Sequence, residues 1–368
     1  MAKSALNVKE LSAISARLGD TIIDPALWPE VLDQISGAVG AAGAGLLQSD
    51  IRTSDIPRSP GADEVISNYF KNGWYAHDVR AERGVPLLLG GEKVVTDQDI
   101  VTPEEIRTLG FYAENLAPFG FRWFAGVGFR SGSALWALAI QRTIKEGPFQ
   151  DDDKRALSCL ADTLTETATL SKAVGRVAIA GATNALDLVR QPALAIDRFG
   201  SVIDANAAMD GIFDDAIYVK DRRLSLADTQ ARQRFETLFD RMRTTPDTDV
   251  LACEPIVIRS KRRRQPVIVR VLPVHGAART PFLGARALLV FSDLSRVPRP
   301  LPETLSQIFG LSPAEARVAS HVASGLSPEE AADAIGISRA TARNHLKAVF
   351  AKTATHRQAE LVALLARL

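Results

Sequence analysis

A basic segment near the C-terminus is the strongest candidate for binding chemistry in this sequence. Five basic residues and no acidic one lie between Ser338 and Arg357, although the formal net charge of the 368-residue chain is only +1. These five are Arg339, Arg343, Lys347, Lys352 and Arg357. Long donors beside small residues can enter the major groove of DNA, where Arg and Lys reach guanine O6 and N7 and Asn pairs with adenine. The segment therefore predicts a DNA-binding helix.

Helical spacing divides this segment into two faces. The predicted inward face contains Ala342, Leu346, Val349, Phe350 and Thr353, and the predicted outward face contains Ala340, Arg343, Asn344, Lys347 and Ala351. We expect base contacts from Arg343, Asn344 and Lys347. Phosphate contacts, which set the register, are expected from Thr341, Lys352 and Arg357. The alternative is an ordinary helical bundle whose basic face only meets water.

Serine–proline pairs mark two helix starts ahead of this segment. Ser312 and Ser327 are each followed by proline and, three residues after the serine, by glutamate, as a capping box requires. Gly336 stands two residues before Ser338, so two helices meet through a tight turn of the helix-turn-helix kind. With a prolyl linker in SRVPRPLP, we predict an all-α four-helix domain over residues 298 to 368.

The stretch LSPAEARVASHVASGLSPEEAADAIGISRATARNHLKAVFAK, which begins at Leu311, resembles the LuxR-type (NarL/FixJ) helix-turn-helix family. The resemblance implies a DNA-binding transcription regulator in which Arg343, Asn344 and Lys347 contact bases and Thr341 and Lys352 contact the backbone. His345 matches a histidine usual in that family, and we expect it to make a structural or phosphate contact rather than to act in catalysis.

The resemblance also covers the last helix, RQAELVALLARL, which commonly pairs two protomers in that family and so implies a homodimer. Its apolar stripe is Leu361, Leu364, Leu365 and Leu368. The sequence departs from the family at Ala331, where a larger aliphatic residue is usual, and at Thr353 and Ala354, where leucine and glycine are common. We expect these departures to affect packing details and not the fold.

Residues 1 to 175 combine helical periodicity with one strand pair. FRWFAGVGFR and ALWALAIQR, separated by SGS, predict a hairpin with Gly132 in its turn. A long helix is expected from Asp151 to about residue 174, because three aspartates stand where the positive end of the helix would be. Through this hairpin and the exit segment GPFQDDDKRALSCLADTL, the region resembles a GAF-like sensor domain.

Aromatic residues are concentrated in this first region, which holds all four tryptophans and three of the four tyrosines. The stretch YFKNGWYAHD is loosely similar to the aromatic and aspartate cluster of autoinducer-binding domains, although its spacing differs. Candidate ligand-binding residues are Tyr69, Trp74, Tyr75, Asp78 and Trp123. They could line an apolar cavity with polar anchors for a small apolar ligand, or they could be only core.

Residues 182 to 297 predict a five-stranded antiparallel sheet with helices on one side. A strand pair flanks a turn at residues 198–200, the chain passes through Asn206 into a helix, and EPIVIRS, QPVIVRVLPV and ARALLVFSDL supply three more strands. The opening PALAIDRFGSVIDANAAM and the late strands are similar to a PAS domain. We expect His275 at the surface rather than as a haem ligand, and the basic run 261–264 as a solvated turn.

Other kinds of chemistry have no candidate residues. The five histidines show no metal-ligand spacing, and Cys159 and Cys253 lie too far apart for a cysteine-based zinc site or a disulfide framework. The glycine-rich GAVGAAGAG lacks a dinucleotide fingerprint, and no phosphate loop occurs. We predict no catalysis, no cofactor and no metal, with both cysteines reduced and packed as ordinary residues.

No apolar run reaches the roughly 18 residues of a membrane span. The first 20 residues lack an apolar signal core and predict a surface helix, which favours a cytoplasmic protein without membrane contact. No phosphoacceptor receiver pattern is found, so we expect input to arrive as a bound molecule.

These observations favour two α+β sensor domains with antiparallel sheets, GAF-like and PAS-like, followed by the helix-turn-helix domain. The predicted function is a one-component, ligand-responsive transcription regulator that binds double-stranded DNA as a homodimer and acts on RNA polymerase. The alternative, from another class, is an interaction module that binds RNA polymerase or another regulator without contacting DNA. Salt dependence separates the two, because direct DNA binding releases counterions and weakens steeply with salt.

Overall fold

The computed structural model describes residues 7–49, 55–244, 254–295 and 300–368. It divides into two compact units: the first takes in residues up to 260 together with 268–292, and the second takes in 261–267 together with 293–368. Cys253 and residues 296–299 of the predicted linker lie outside the described residues, so the interpretations that concern them remain predictions.

Four antiparallel strands form the first sheet. They are β1 (Gly43–Gln48), β2 (Val94–Thr96), β3 (Phe121–Ser131) and β4 (Ala134–Thr143), in the order β1-β4-β3-β2. β3 and β4 form the predicted hairpin, with Ser131 opposite Ala134. Gly132 in the turn has φ +64°, a left-handed conformation that glycine adopts without a steric penalty.

In the described residues ahead of this hairpin, 7–49 and 55–120, there are seven helices, with short 3₁₀ and π turns among them. They are α1 (Val8–Arg17), α2 (Asp20–Ile23), α3 (Trp28–Ala38), α4 (Asp63–Lys71), α5 (Val79–Leu89), α6 (Asp97–Ile100) and α7 (Pro103–Thr108). The amphipathic α1, which buries Leu11 and Ile14, is the surface helix expected at the N-terminus. One face of the sheet packs against α3 and the long helix that follows β4.

That long helix, α8 (Asp151–Leu188), has 38 residues and a length of about 57 Å. It starts where the aspartates predict, and the Asp153 carboxylate accepts the backbone N–H of Gln150 at 2.9 Å. Its end was expected near residue 174, but the helix continues through residues 175–182, where the sequence predicts a domain boundary. Gly175 does not end the helix; a Cβ there would lie 2.8 Å from Thr280 Cγ2, so this glycine serves close packing.

Five strands form the second sheet, as predicted. They are β5 (Ala193–Asp197), β6 (Val202–Ala205), β9 (Ile256–Ile258), β10 (Val267–Pro273) and β11 (Ala285–Asp293), in the order β6-β5-β11-β10-β9. The turn after β5 has Gly200 at φ +77°. Asn206 stands before a 3₁₀ helix, Ala207–Gly211, and His275 is exposed, both as expected. A two-stranded sheet of β7 (Ile217–Lys220) and β8 (Arg223–Leu226), followed by α9 (Thr229–Thr244), lies between β6 and β9 in the chain.

The two sheet regions share one aromatic core. Phe282, which precedes β11, packs edge-on against three rings of the first region, with centroids 5.7 Å from Trp28, 6.0 Å from Phe129 and 5.1 Å from Trp136. Phe282 belongs to the hydrophobic cluster otherwise formed by the first region. Tertiary packing therefore joins segments that the sequence assigns to separate domains.

A buried ionic contact joins the same two regions. Asp55 is 4% exposed, and its carboxylate lies 2.8 Å from Nη1 of Arg286 and 3.3 Å from Nη2 of Arg279. Its carbonyl oxygen accepts Nη1 of Arg198 at 2.9 Å. All three arginines come from the second region, and leaving any charge here without a partner would be costly in a buried environment.

The C-terminal unit contains the four predicted helices, preceded by one more. They are α10 (Pro302–Phe309), α11 (Pro313–Ala323), α12 (Pro328–Ile335), α13 (Arg339–Thr353) and α14 (Gln358–Leu365). The capping boxes at Ser312 and Ser327 are present, so the helix starts are confirmed. Ala331 is fully buried, where a larger side chain would need more space.

Two details of packing differ from expectation. Cys159 is a free cysteine but is exposed on α8, so its description as a packing residue is wrong. In α14, Leu361 and Leu365 are buried in the domain's own core, so only Leu364 and Leu368 of the predicted apolar stripe remain accessible. In the described parts of the chain, no helix is both long and apolar enough to cross a bilayer, and no three metal-ligating side chains form a candidate metal site.

Candidate nucleic-acid interface and N-terminal cavity

A tight turn fixes where α13 begins. Gly336 ends α12 with φ +78°, a backbone conformation that favours glycine. Two residues later the Ser338 hydroxyl caps α13 by accepting the backbone N–H of Thr341 at 3.1 Å. The Thr341 hydroxyl lies 2.7 Å from the same serine oxygen, so this side chain stands at the exposed start of the helix.

The two faces of α13 are as predicted. Ala342, Leu346, Val349 and Thr353 are buried, and Phe350 is half-buried. The exposed positions include Ala340, Arg343, Asn344, Lys347 and Ala351. Arginine, asparagine and lysine side chains therefore lie together on one accessible face, between small residues that leave room for a groove wall.

Arg343 makes an ion pair that sequence reasoning missed. Its Nη2 donates to Glu329 Oε1 at 2.6 Å, and its Nε donates to the same oxygen at 3.1 Å. This hydrogen bond lowers the pKa of Glu329, so the carboxylate stays charged. The Arg343 side chain is 69% exposed, and such pairs contribute little in water, so the guanidinium can turn to another acceptor.

The other predicted contact residues have varied surroundings. Lys352 Nζ lies 2.7 Å from Glu315 Oε2 and 3.1 Å from the carbonyl oxygen of Gly310, so it joins the end of α13 to the start of α11. Arg357 is exposed directly before α14, and its backbone N–H donates to Glu360 at 3.2 Å. His345 is half-buried on the side of α13. Lys352 thus has an internal role that its place in the charge pattern did not indicate.

A cavity of about 170 Å³ lies between the first sheet and the helices α4 and α5. Alternate residues of β4 line it, because side chains of a strand point to opposite faces in turn; these are Leu135, Ala137, Ala139 and Gln141. The opposite wall includes Tyr69 of α4, Leu88 of α5 and Phe111. The walls are mostly apolar, with a few polar groups among them, which is the usual make-up of a small-molecule site.

The structure places three of the five predicted ligand residues at this cavity. Tyr69, Tyr75 and Asp78 line it, whereas Trp74 and Trp123 do not. Trp74 instead packs edge-on against Phe111, with ring centroids 6.4 Å apart. Sequence reasoning missed Arg80, Asn115 and Gln141, which also line the cavity.

Asp78 and Tyr69 form a polar pair in the cavity wall. The Tyr69 hydroxyl donates to Asp78 Oδ2 at 2.9 Å. Asp78 Oδ1 accepts the backbone N–H groups of Arg80 at 2.9 Å and Ala81 at 3.1 Å, so it caps α5. Burial raises the pKa of the Asp78 carboxyl above its ordinary value, against the opposing effect of these hydrogen bonds. Burial likewise raises the pKa of Tyr69, so its hydroxyl keeps its proton.

Arg80 is neutralised inside the protein. Its Nε and Nη2 donate to the two oxygens of Asp97 at 2.8 and 3.0 Å, and its Nη1 donates to Gln141 Oε1 at 3.0 Å. The Tyr112 hydroxyl also donates to Asp97, at 2.5 Å. The guanidinium carbon lies 4.9 Å from the centre of the Phe124 ring. This buried, bidentate ion pair fixes the first sheet to α5 and α6.

Comparison with known proteins identifies the C-terminal domain. Residues 310–365 match the family model described as "Bacterial regulatory proteins, luxR family". These residues form a LuxR-family helix-turn-helix domain, and the family implies a DNA-binding transcription regulator. A search of the curated proteins found no match.

Two solved structures are similar to longer parts of the chain. The phage VqmA–DPO complex is 16% identical, and the match covers 50% of this chain and 88% of that one, with a TM-score of 0.20. The E. coli DhaR(N)–DhaL complex is 11% identical, and the match covers 76% of this chain and 89% of that one, with a TM-score of 0.26. At these TM-scores neither similarity defines the fold of the N-terminal region.

Proposed function

We propose that this protein is a one-component regulator that binds double-stranded DNA as a homodimer through α13 and changes its DNA binding when a small molecule occupies the N-terminal cavity. The observation that carries the proposal is the joint exposure of Arg343, Asn344 and Lys347 on one face of α13, in a LuxR-family domain. Arg343 and Lys347 can reach guanine, and Asn344 can pair with adenine.

Thr341 and Arg357 are exposed at the two ends of this face, and we assign them to phosphate contacts. His345 is half-buried and accompanies them as a structural or phosphate contact. Lys352 can reach a phosphate only by sharing its ammonium group with Glu315. In this arrangement bases are read by the middle of α13 and the register is set at its ends.

The N-terminal regions supply the sensor part of the proposal. The five-stranded order β6-β5-β11-β10-β9 supports the PAS-like assignment, and the four-stranded sheet with its exit helix supports the GAF-like one. The largely apolar cavity between this sheet and α4 and α5 supports a small-molecule input. A ligand can act only if it binds one arrangement of the chain more tightly than the other.

DNA binding by the full-length chain tests the first half of the proposal. Binding sites are selected from a randomised duplex library, and the affinity for a selected site is measured against salt by fluorescence anisotropy. Arg343→Ala is expected to cost about 1–3 kcal/mol and to relax base preference, while Arg357→Ala, at an assigned phosphate contact, should lower the salt slope by about 1. Arg317→Ala, an exposed arginine on α11, is the matched control and should change little.

If no selected sequence is enriched over random DNA and the three variants bind like the wild type, the proposal fails. Binding to RNA polymerase that survives Arg343→Ala, with no DNA binding of its own, would favour the interaction module. Sedimentation of the complex on a selected site tests the dimer, because two protomers on one site require two related half-sites.

A further inference from the structure

The charges around the N-terminal cavity are balanced within the protein. Arg80 is 5% exposed, and its guanidinium forms a two-point ion pair with Asp97, which is fully buried. A charged ligand entering the cavity would lose its hydration, and that cost is recovered only when an opposite charge is available to it. Arg80 offers no such charge, because Asp97 already holds it.

Asp78 is the acidic residue of the cavity wall, and its carboxyl oxygens already have hydrogen-bond partners. One oxygen accepts two backbone N–H groups of α5, and the other accepts the Tyr69 hydroxyl. Burial raises the pKa of this carboxyl, which favours its neutral form. A cationic ligand therefore finds a carboxyl whose charge is disfavoured and whose oxygens already have partners.

Two amide groups in the cavity wall, those of Gln141 and Asn115, have hydrogen-bond donors to offer. Arg80 can only donate, so the oxygen of the Gln141 amide must face it, and the Gln141 Nε2 group is left without an acceptor in the described parts of the chain. Asn115 shows the same arrangement: its Oδ1 accepts from Asn68 at 3.0 Å, and its Nδ2 has no acceptor within the described ranges. A ligand that brings acceptor oxygens or ring nitrogens would satisfy these groups.

The size of the cavity limits the ligand further. An apolar cavity of about 150 Å³ holds a benzene ring, and this cavity has about 170 Å³. Its aromatic walls, including Tyr69, Phe111 and Phe124, suit a planar ring.

We infer that the cavity binds an uncharged compound of about one ring that carries one or two hydrogen-bond acceptors. This inference rests on the proposed function, since it specifies the ligand that would control DNA binding. It excludes carboxylates and amines, because neither finds an available counter-charge, and it assigns Gln141 as a donor to the ligand.

Calorimetric titration of the full-length protein with four matched one-ring probes tests the inference. Acetophenone is neutral with one acceptor, toluene is neutral without one, benzoate is an anion, and benzylamine is a cation. Acetophenone should bind most tightly, with toluene about fivefold weaker for want of one hydrogen bond and the two charged probes at least about tenfold weaker.

Two variants connect that order to this cavity. Ala137→Phe fills the space and should abolish acetophenone binding, whereas Ala113→Phe, at an exposed position away from the cavity, should not. Gln141→Met removes the donor but keeps the length of the side chain. It should reduce the affinity for acetophenone to that for toluene while toluene binding persists, which shows that the cavity itself is intact.

Tighter binding of benzoate or benzylamine than of acetophenone would overturn the inference, as would binding of none of the four at millimolar concentration. Binding of acetophenone that Ala137→Phe leaves unchanged would also overturn it, because the probe would then occupy another site. The DNA selection described above tests the proposed function independently of these probes. If DNA sites are enriched but a charged probe binds most tightly, the proposed regulator is supported and only the inferred ligand class is wrong.

Discussion

Phe282 lies in a hydrophobic cluster otherwise built by residues between Leu11 and Ala168, so its replacement tests whether the two sheet regions form one cooperative unit. The side chain is 6% exposed and makes edge-on contacts with Trp28, Phe129 and Trp136. A buried Phe→Ala change costs about 3–5 kcal/mol. Phe282→Ala also removes three aromatic pairs, each of which adds about 0.5–1.5 kcal/mol beyond area burial. We therefore expect a cost that is not at the low end of this range, about 4 kcal/mol.

Urea unfolding of the full-length chain, followed by tryptophan fluorescence, measures this cost. Two of the three rings that contact Phe282 are tryptophans, so the fluorescence reports on the core that the substitution opens. A loss of about 4 kcal/mol corresponds to a decrease in Tm of about 8 °C in a unit of this size. Phe199→Ala, at a position that is 37% exposed in the same region, is the matched control and should cost far less. Equal effects of the two substitutions would refute the shared core.

Three further predictions concern single side chains. Ala354 ends α13 with φ +52°, a left-handed conformation that favours glycine, so Ala354→Gly should stabilise the C-terminal domain by about 1 kcal/mol in thermal unfolding. Ala351→Gly, inside the helix, should destabilise it by about 1 kcal/mol. A lower stability after Ala354→Gly would contradict the left-handed conformation at this position. The hydrogen bond from Arg83 lowers the pKa of Glu105 from 4.5 to about 2, so its stabilising effect is present above pH 4.5 and is lost as the pH falls toward 2. Glu105→Gln should therefore lower stability at pH 7 and flatten its dependence on pH in that window, while Glu104→Gln should leave the acid slope as in the wild type. Lys352→Ala should lower the stability of the C-terminal domain by up to about 1 kcal/mol even without DNA, because it removes the contact with Glu315. An unchanged Tm would show that this contact does not stabilise the domain.

The helix-turn-helix could be predicted because its signals are local. The caps at Ser312, Ser327 and Ser338 and the stop at Gly336 each lie within a few residues of the helix end they determine. The two faces of α13 follow from helical periodicity alone. Local chemistry of this kind is readable in one sequence, and it also fixed the hairpin turn at Gly132.

The contacts that shape the two candidate sites join positions distant in the chain. Arg343 and Glu329 are 14 positions apart, and Arg80 and Asp97 are 17 apart. The two partners of each pair lie on different helices, so no periodicity within one element indicates these pairs. The end of α8 differs from the prediction for a related reason: its stretch after residue 174 has no proline, and Gly175 packs closely against Thr280, which local propensity cannot reveal.

The aromatic contact of Phe282 and the unbroken α8 also bear on where segments of the gene could be exchanged during evolution. An exchange of gene segments at residues 175–182 would divide a helix and take one ring out of a core that remains with the other fragment. An exchange after β11 would leave both the helix and this core intact. Evolution should therefore pass on the two sheet regions together, and the C-terminal LuxR-family domain is the part that can be exchanged.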